Sequence, residues 1–370
     1  MKKTILLALI MCLGIATIVN ANIYNHKAGF DATSVIAFSS QVYGDGNYIY
    51  LGGTDNLIVL EFNGINFTQI DTIISPSVSD ITGDGTYIYT ANYFNGLYAY
   101  YFNGTDIVQV GYYDTTGTPY GLWFDGTYIY EVDGRGSGIN AFTFNGTEFT
   151  LIANTEAEYP SASYQTALWG DGTYLYESQD LGGIRVFTFN GTNFTQTGAT
   201  SSGGYTQKVW GDGTYIYEAN YDNGVNAYSF NGTDFTFITN INNGGRNSFI
   251  KGDGNYIYVS GENDQIEAYT FNGINFTTIE VYPEAGYNLG IFVDEDYVYV
   301  ANTLYGLNVY QIIPPSQPPI IYREANDLTG AVIDNGTKII VGFGSIALLF
   351  GLFVGGAVVV FAFNKLIMKK

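Results

Sequence analysis

The side chains able to do chemistry in this 370-residue chain are nearly all acids and phenols: 34 Asp and Glu and 34 Tyr stand against a single His and a single Cys. Carboxylates in pairs can cleave glycosidic bonds, and carboxylates in clusters can offer Ca2+ the several oxygen ligands it takes. Other chemistries are poorly provided for. His26 has no Ser-His or metal-ligand grouping to join, and Cys12 falls in the N-terminal leader described below, so the body of the chain has neither thiol nor disulfide. Charge excludes a further class. All 34 acidic residues lie between positions 22 and 337, where the bases are Lys27, Arg135, Arg185, Lys208, Arg246, Lys251 and Arg323. Nucleic acid, whose binding depends on neutralising phosphates, is not an expected ligand.

The acids recur in register. Asp45, Asp84, Asp125, Asp171, Asp212, Asp253 and Asp294 sit in Gly-Asp-Gly turns or their equivalents, at intervals of 39, 41, 46, 41, 41 and 41 residues. A period near 40 with strand-forming residues throughout predicts an all-β fold, a seven-bladed β-propeller of four-stranded blades. The fifth repeat parses as an inner strand over 206–210, the turn Gly211-Asp212-Gly213, a second strand over 215–219, a loop Tyr221-Asp222-Asn223-Gly224, a third strand over 225–230, a hairpin turn at Asn231-Gly232 and an outer strand over 235–238. Asn-Gly between alternating apolar residues is a strong hairpin signal. Propeller blades are covered on both faces, so the repeated Tyr and Phe, and Trp123, Trp169 and Trp210 before the turn, are read chiefly as core.

The Phe-Asn hairpin phrase occurs six times, and the seventh repeat ends after its third strand. An outer strand is missing there. Residues 23–33 precede the first inner strand and are expected to supply it, closing the last blade with the N-terminal strand.

The two ends carry different signals. Lys2 and Lys3, the apolar run 5–19 and Val19-Asn20-Ala21 have the parts of a secretory signal peptide, placed at 1–21. Residues 22–312 then form the propeller ectodomain, and 313–338 a stalk beginning Pro-Pro-Ser-Gln-Pro-Pro, which favours extended chain. Residues 339–363 contain no charge; as a helix they would be about 37 Å long, enough to cross a bilayer of about 30 Å. Lys365, Lys369 and Lys370 in the short tail 364–370 would keep the C-terminus cytoplasmic and the body outside. Gly351 and Gly355 stand four apart in that span, a spacing that permits helix pairing and hence an oligomer.

Segments 213–228 (GTYIYEANYDNGVNAY) and 296–310 (DYVYVANTLYGLNVY) resemble LVIVD repeats, with an aromatic strand, Ala-Asn, then Gly-Leu or its equivalent and an alternating strand. The resemblance covers most of 41–312 and implies a propeller at a cell surface or in secreted form. It transfers no catalytic residue. The chain departs from that family by having Phe-Asn-Gly-Thr where an Asp-rich, Pro-containing turn is usual.

Following strand direction through a blade places the Asp and Asn-Gly turns on one face, the bottom, and the sequence-variable loops on the other, the top. Loops on a rigid scaffold are where binding usually resides. The top-face candidates are Asp55, Tyr93, Asp133, Arg135, Asp180, Tyr221, Asp222, Arg246, Glu262, Asp264 and Tyr305, with the central channel a second location. These carboxylates could hold Ca2+, although no loop has the alternating Asp pattern of a dedicated calcium site; no other cofactor is expected. Sequons at Asn66, Asn103, Asn145, Asn190, Asn193, Asn231, Asn275 and Asn335 are glycan acceptors in an exported chain, and equally good turn chemistry. The leading expectation is a membrane-anchored recognition or adhesion protein of a cell surface or envelope that binds an extracellular protein or glycan through the top loops. The alternatives are a surface polysaccharide hydrolase or lyase using Asp133, Asp180 and Asp222, and a structural coat component.

Overall fold

The computed structural model describes residues 24–32, 39–115, 117–134, 138–155, 165–242, 244–262, 265–283, 286–312, 321–324, 339–342, 348–354 and 357–363. It divides into two units, one spanning Tyr24–Ile312 and one made of the chain ends. The first holds seven four-stranded antiparallel sheets. Six are consecutive in sequence, within 39–74, 78–113, 119–154, 165–200, 208–241 and 247–283, and are blades 1 to 6 in that order. Blade 5 runs Lys208–Gly211, Ile216–Ala219, Val225–Phe230 and Phe235–Ile241, close to the division its sequence predicts. Blade 7 takes three strands from 288–312, and its fourth is Tyr24–Phe30, paired antiparallel with Gly306–Ile312. The N-terminal strand therefore closes the ring, as the missing hairpin requires.

The repeated Asp is a turn lock. In all seven repeats its Oδ1 accepts the backbone N–H groups two and three residues on, and its Oδ2 accepts the hydroxyl of the Tyr five residues on, at 2.6–3.0 Å. The Tyr three residues on serves a different joint. Tyr48, Tyr87, Tyr128, Tyr174 and Tyr215 each meet the hairpin Phe of the next blade edge-to-face at 4.9–5.3 Å, and Tyr297 of blade 7 meets Phe62 of blade 1 at 5.1 Å. Aromatic rings favour this geometry because a positive edge meets a negative face. The repeated aromatics are therefore mortar between blades.

A size rule runs around the inner strands. Where the following blade has glycine just before its turn Asp, the residue two before the turn Asp packs on that glycine: an added Cβ would lie 2.9 Å from Tyr43 at Gly83, 2.6 Å from Trp123 at Gly170 and 2.6 Å from Trp169 at Gly211. Trp210 crowds Gly252 and Phe292 crowds Gly44 in the same way. Where that residue is not aromatic the glycine is gone. After Thr82 of blade 2 the next blade has Phe124, and after Lys251 of blade 6 the next blade has Val293, each at the register position that glycine holds elsewhere. Close packing explains the exchange, since volume removed from one blade is restored by the next.

In the second unit, Ile321–Glu324 pairs parallel with Ile339–Gly342, and Leu348–Val354 pairs antiparallel with Ala357–Phe363. The helix expected over 339–363 is thus not shown, and among the described residues no helix is long and apolar enough to cross a membrane. Val, Ile and Phe suit strands as well as apolar helices, so an uncharged run does not by itself fix the backbone form. The leader 1–21 and the tail 364–370 lie outside the described residues.

Candidate functional site

Two places bring chemically capable side chains together. The first is the top edge between blades 5 and 6. Tyr221, held at φ +38° by the tight Tyr221–Gly224 turn, donates its hydroxyl to Glu262 Oε2 at 2.7 Å. The Arg246 guanidinium reaches the same Oε2 at 3.3 Å and Asp222 Oδ1 at 3.3 Å, and lies 5.3 Å over the Tyr221 ring. Burial and Glu262 push the Tyr221 phenol up to about 12, with Arg246 opposing them. Four of the sequence candidates thus form one exposed cluster, a site for hydrogen bonding and cation–π contact with no free nucleophile.

The other candidates disperse. Asp133 is fully buried, with Oδ1 accepting from the Thr118 backbone N–H at 2.8 Å, so it is not a surface ligand. Its place at the end of a second strand looked like a loop in sequence, but the entry loop of the same blade folds over it. Tyr93 is half-buried against Tyr120 at 5.0 Å, and burial raises its phenol. Burial also raises the Asp180 carboxyl. Asp55 and Tyr305 are exposed. Arg135 and Asp264 lie outside the described residues. Among the described residues no three His, Cys, Asp or Glu side chains converge to hold a metal ion.

Exposed apolar side chains lie on the same face and along the blades' outer strands, where Phe237, Tyr112 and Val108 are among them. Ile74, Phe94, Leu181, Tyr205, Tyr287, Leu304 and Tyr305, in or beside the top loops, are 45–78 % exposed. On the bottom turns only Ile65 and Ile274 stand out among the described residues. The bottom is instead a ring of self-capped turns: Asn103, Asn145, Asn190 and Asn231 each accept two backbone N–H groups through Oδ1 at 2.7–3.0 Å. These four, with Asn66, Asn193 and Asn275, are exposed, so turn and acceptor roles are compatible; Asn335 lies outside the described residues.

The second place is the central channel, a cavity of about 180 Å3 lined by the inner strands of all seven blades. It contains Asp80, Lys208, Lys251, Trp123, Trp169 and Trp210. Lys208 Nζ sits 3.1 Å from Asp80 Oδ2, which also accepts the Leu122 backbone N–H at 3.0 Å, and 5.4 Å over the Phe249 ring. Burial lowers the Lys251 ammonium, Asp80 opposes that shift and Lys208 adds to it. Sequence reasoning missed these lysines. The available signal was that two of the few bases in the body fall on inner strands of consecutive repeats.

Beneath the top face, Glu131, Glu177 and Glu218 occupy one equivalent second-strand position in blades 3, 4 and 5, and all are fully buried. Glu177 is paired with Arg185 at 2.6 Å. Glu218 accepts from Ser202, Thr206, Asn226 and Tyr228. Glu131 accepts from Asn140 at 2.6 Å, yet its Oε1 has no hydrogen-bond partner among the described residues; burial pushes it up to about 8, with Asn140 opposing and Asp133 adding.

No family model matches the chain, and no curated protein matches it, so membership of the LVIVD-repeat family is not shown. Solved structures do match in fold. Virginiamycin B lyase from Staphylococcus aureus aligns with a TM-score of 0.62 at 16% identity over 77% of this chain and 99% of that one. The β-propeller domain of Cps50 (Swd1) from Myceliophteria thermophila gives 0.61 at 9% identity over 79% and 100%. The computationally designed Ika8 protein gives 0.57 at 9% identity over 78% and 98%. Such low identities carry the fold alone: the chain contains a seven-bladed β-propeller.

Proposed function

We propose that this propeller is a recognition module that binds an extracellular protein or glycan through its top loops. The observation that carries the reading is the top-loop set of exposed Ile, Leu, Phe and Tyr side chains beside the Tyr221–Arg246–Glu262–Asp222 cluster. Aromatic side chains and Arg dominate binding hot spots because they combine large contact area with directed polar contacts. The invariant turns below supply rigidity, and the burial of Asp133 takes one carboxylate away from the hydrolase alternative. In this reading the leader 1–21 exports the chain, the uncharged run 339–363 anchors it as a membrane-spanning helix with the tail inside, and the bottom sequons carry glycans.

The test is a binding screen of the full chain against a glycan array and surface extracts, with and without Ca2+. Saturable binding, weakened at least about tenfold by Phe94→Ala, Tyr305→Ala or Arg246→Ala, is the expected result, a loss of about 1.4 kcal/mol each. Binding that survives all three substitutions, or turnover of a polysaccharide abolished by Asp180→Asn, would refute it.

A further inference from the structure

The channel is chemically unlike the rest of the molecule. In a body rich in carboxylates, it holds two ammonium groups and one carboxylate, and that carboxylate is already engaged by Lys208 and by the Leu122 N–H. Among the described residues Lys251 has no carboxylate within ion-pair distance, although it lines the same cavity and feels both Asp80 and Lys208. A half-buried ammonium with no ion-pair partner is costly unless an anion or water compensates it. The same cavity is lined by Trp123, Trp169 and Trp210, which are all the tryptophans of the chain. The cavity of about 180 Å3 exceeds the roughly 150 Å3 that holds a benzene-sized molecule.

We propose that the central channel binds a small aromatic carboxylate, with its carboxylate at Lys251 beside Lys208 and its ring against the tryptophans. This site is separate from the top-face loops and does not rest on their role. The aromatic wall excludes water around the ring, while the Lys251 charge selects an anion over a neutral or cationic ring of the same size. Both Asp80 oxygens are already engaged, Oδ2 by Lys208 and the Leu122 N–H and Oδ1 by the Ile81 N–H, which leaves Lys251 as the unpaired charge of the cavity among the described residues.

Because every tryptophan lines the channel, intrinsic tryptophan fluorescence reports on it directly. Benzoate, benzamide and benzylamine would be titrated to about 10 mM into the full chain, well above a millimolar Kd. The expected result is a saturable change in emission with benzoate, at least tenfold weaker binding of benzamide and benzylamine, a tenfold or greater loss in Lys251→Gln, and recovery in Lys251→Arg. No saturable change with benzoate would overturn the proposal, as would equal affinity for benzamide or unaltered benzoate binding in a folded Lys251→Gln. Should Lys251→Gln fail to fold, the ranking of the three ligands on the unsubstituted chain decides the matter. Loss of top-face binding in Phe94→Ala or Tyr305→Ala should leave the benzoate response in place.

Discussion

The size rule around the inner strands predicts a specific coupling between Trp169 and Gly211. An added Cβ at Gly211 would lie 2.6 and 2.8 Å from Trp169 Cη2 and Cζ3, and 2.9 Å from Ile216 Cδ1. Ile216 can move its terminal methyl, but the indole is rigid, 8 % exposed and tilted against Tyr176 at 5.2 Å. Gly211→Ala should therefore destabilise by about 1–3 kcal/mol, the usual cost of overpacking. At about 2 °C per kcal/mol for a body of this size, the melting temperature should fall by about 2–6 °C. Trp169→Thr, which copies the Thr82 solution, should alone cost about 3–5 kcal/mol through the cavity it leaves. In that background Gly211→Ala should be neutral or gain about 0.4–1 kcal/mol, because alanine restricts the unfolded chain and now meets no ring. The cycle should yield a coupling energy of about 1–4 kcal/mol, measured by denaturant unfolding of the four proteins. An equal cost of Gly211→Ala in both backgrounds would refute the reasoning.

Two further predictions concern the buried acid and the seam. The Glu131 carboxyl is raised from its ordinary value to about 8, so the folded state holds a proton that the unfolded state releases. Its contribution is full below the unfolded value and is lost as pH rises toward 8, at about 1.4 kcal/mol per pH unit. Glu131→Gln keeps an acceptor for Asn140 and should remove that part of the slope in a stability–pH profile; an unchanged slope would count against the buried neutral acid. Deleting 24–30 uncovers the edge of Gly306–Ile312, six of whose residues pair with the N-terminal strand. The shortened chain should lose cooperative unfolding and aggregate through that edge, as light scattering would detect; a monomer with an unchanged melt would show the closure to be dispensable.

Sequence alone determined what repeats. The spaced Asp residues, the Asn-Gly turns and the absent seventh hairpin gave the blade number and the closing strand, because each is a local signal whose meaning survives without knowing its neighbours. Local reading also explained the repeated Tyr and Phe as packing, though not the joint each one makes. In the first five repeats the Tyr three residues after the Asp touches a Phe 54 to 61 residues away, and only the ring arrangement brings that pair together. The same dependence on distant neighbours separated the candidates. Tyr221, Asp222, Arg246 and Glu262 assemble across a blade junction, whereas Asp133, equally loop-like in sequence, is enclosed. Asp80 and Lys208 are 128 positions apart in the chain and 3.1 Å apart in the channel. Periodicity fixes which residues occupy equivalent places in each blade, but closing the ring decides which equivalents face one another, and that sets burial, charge pairing and the chemistry of the channel.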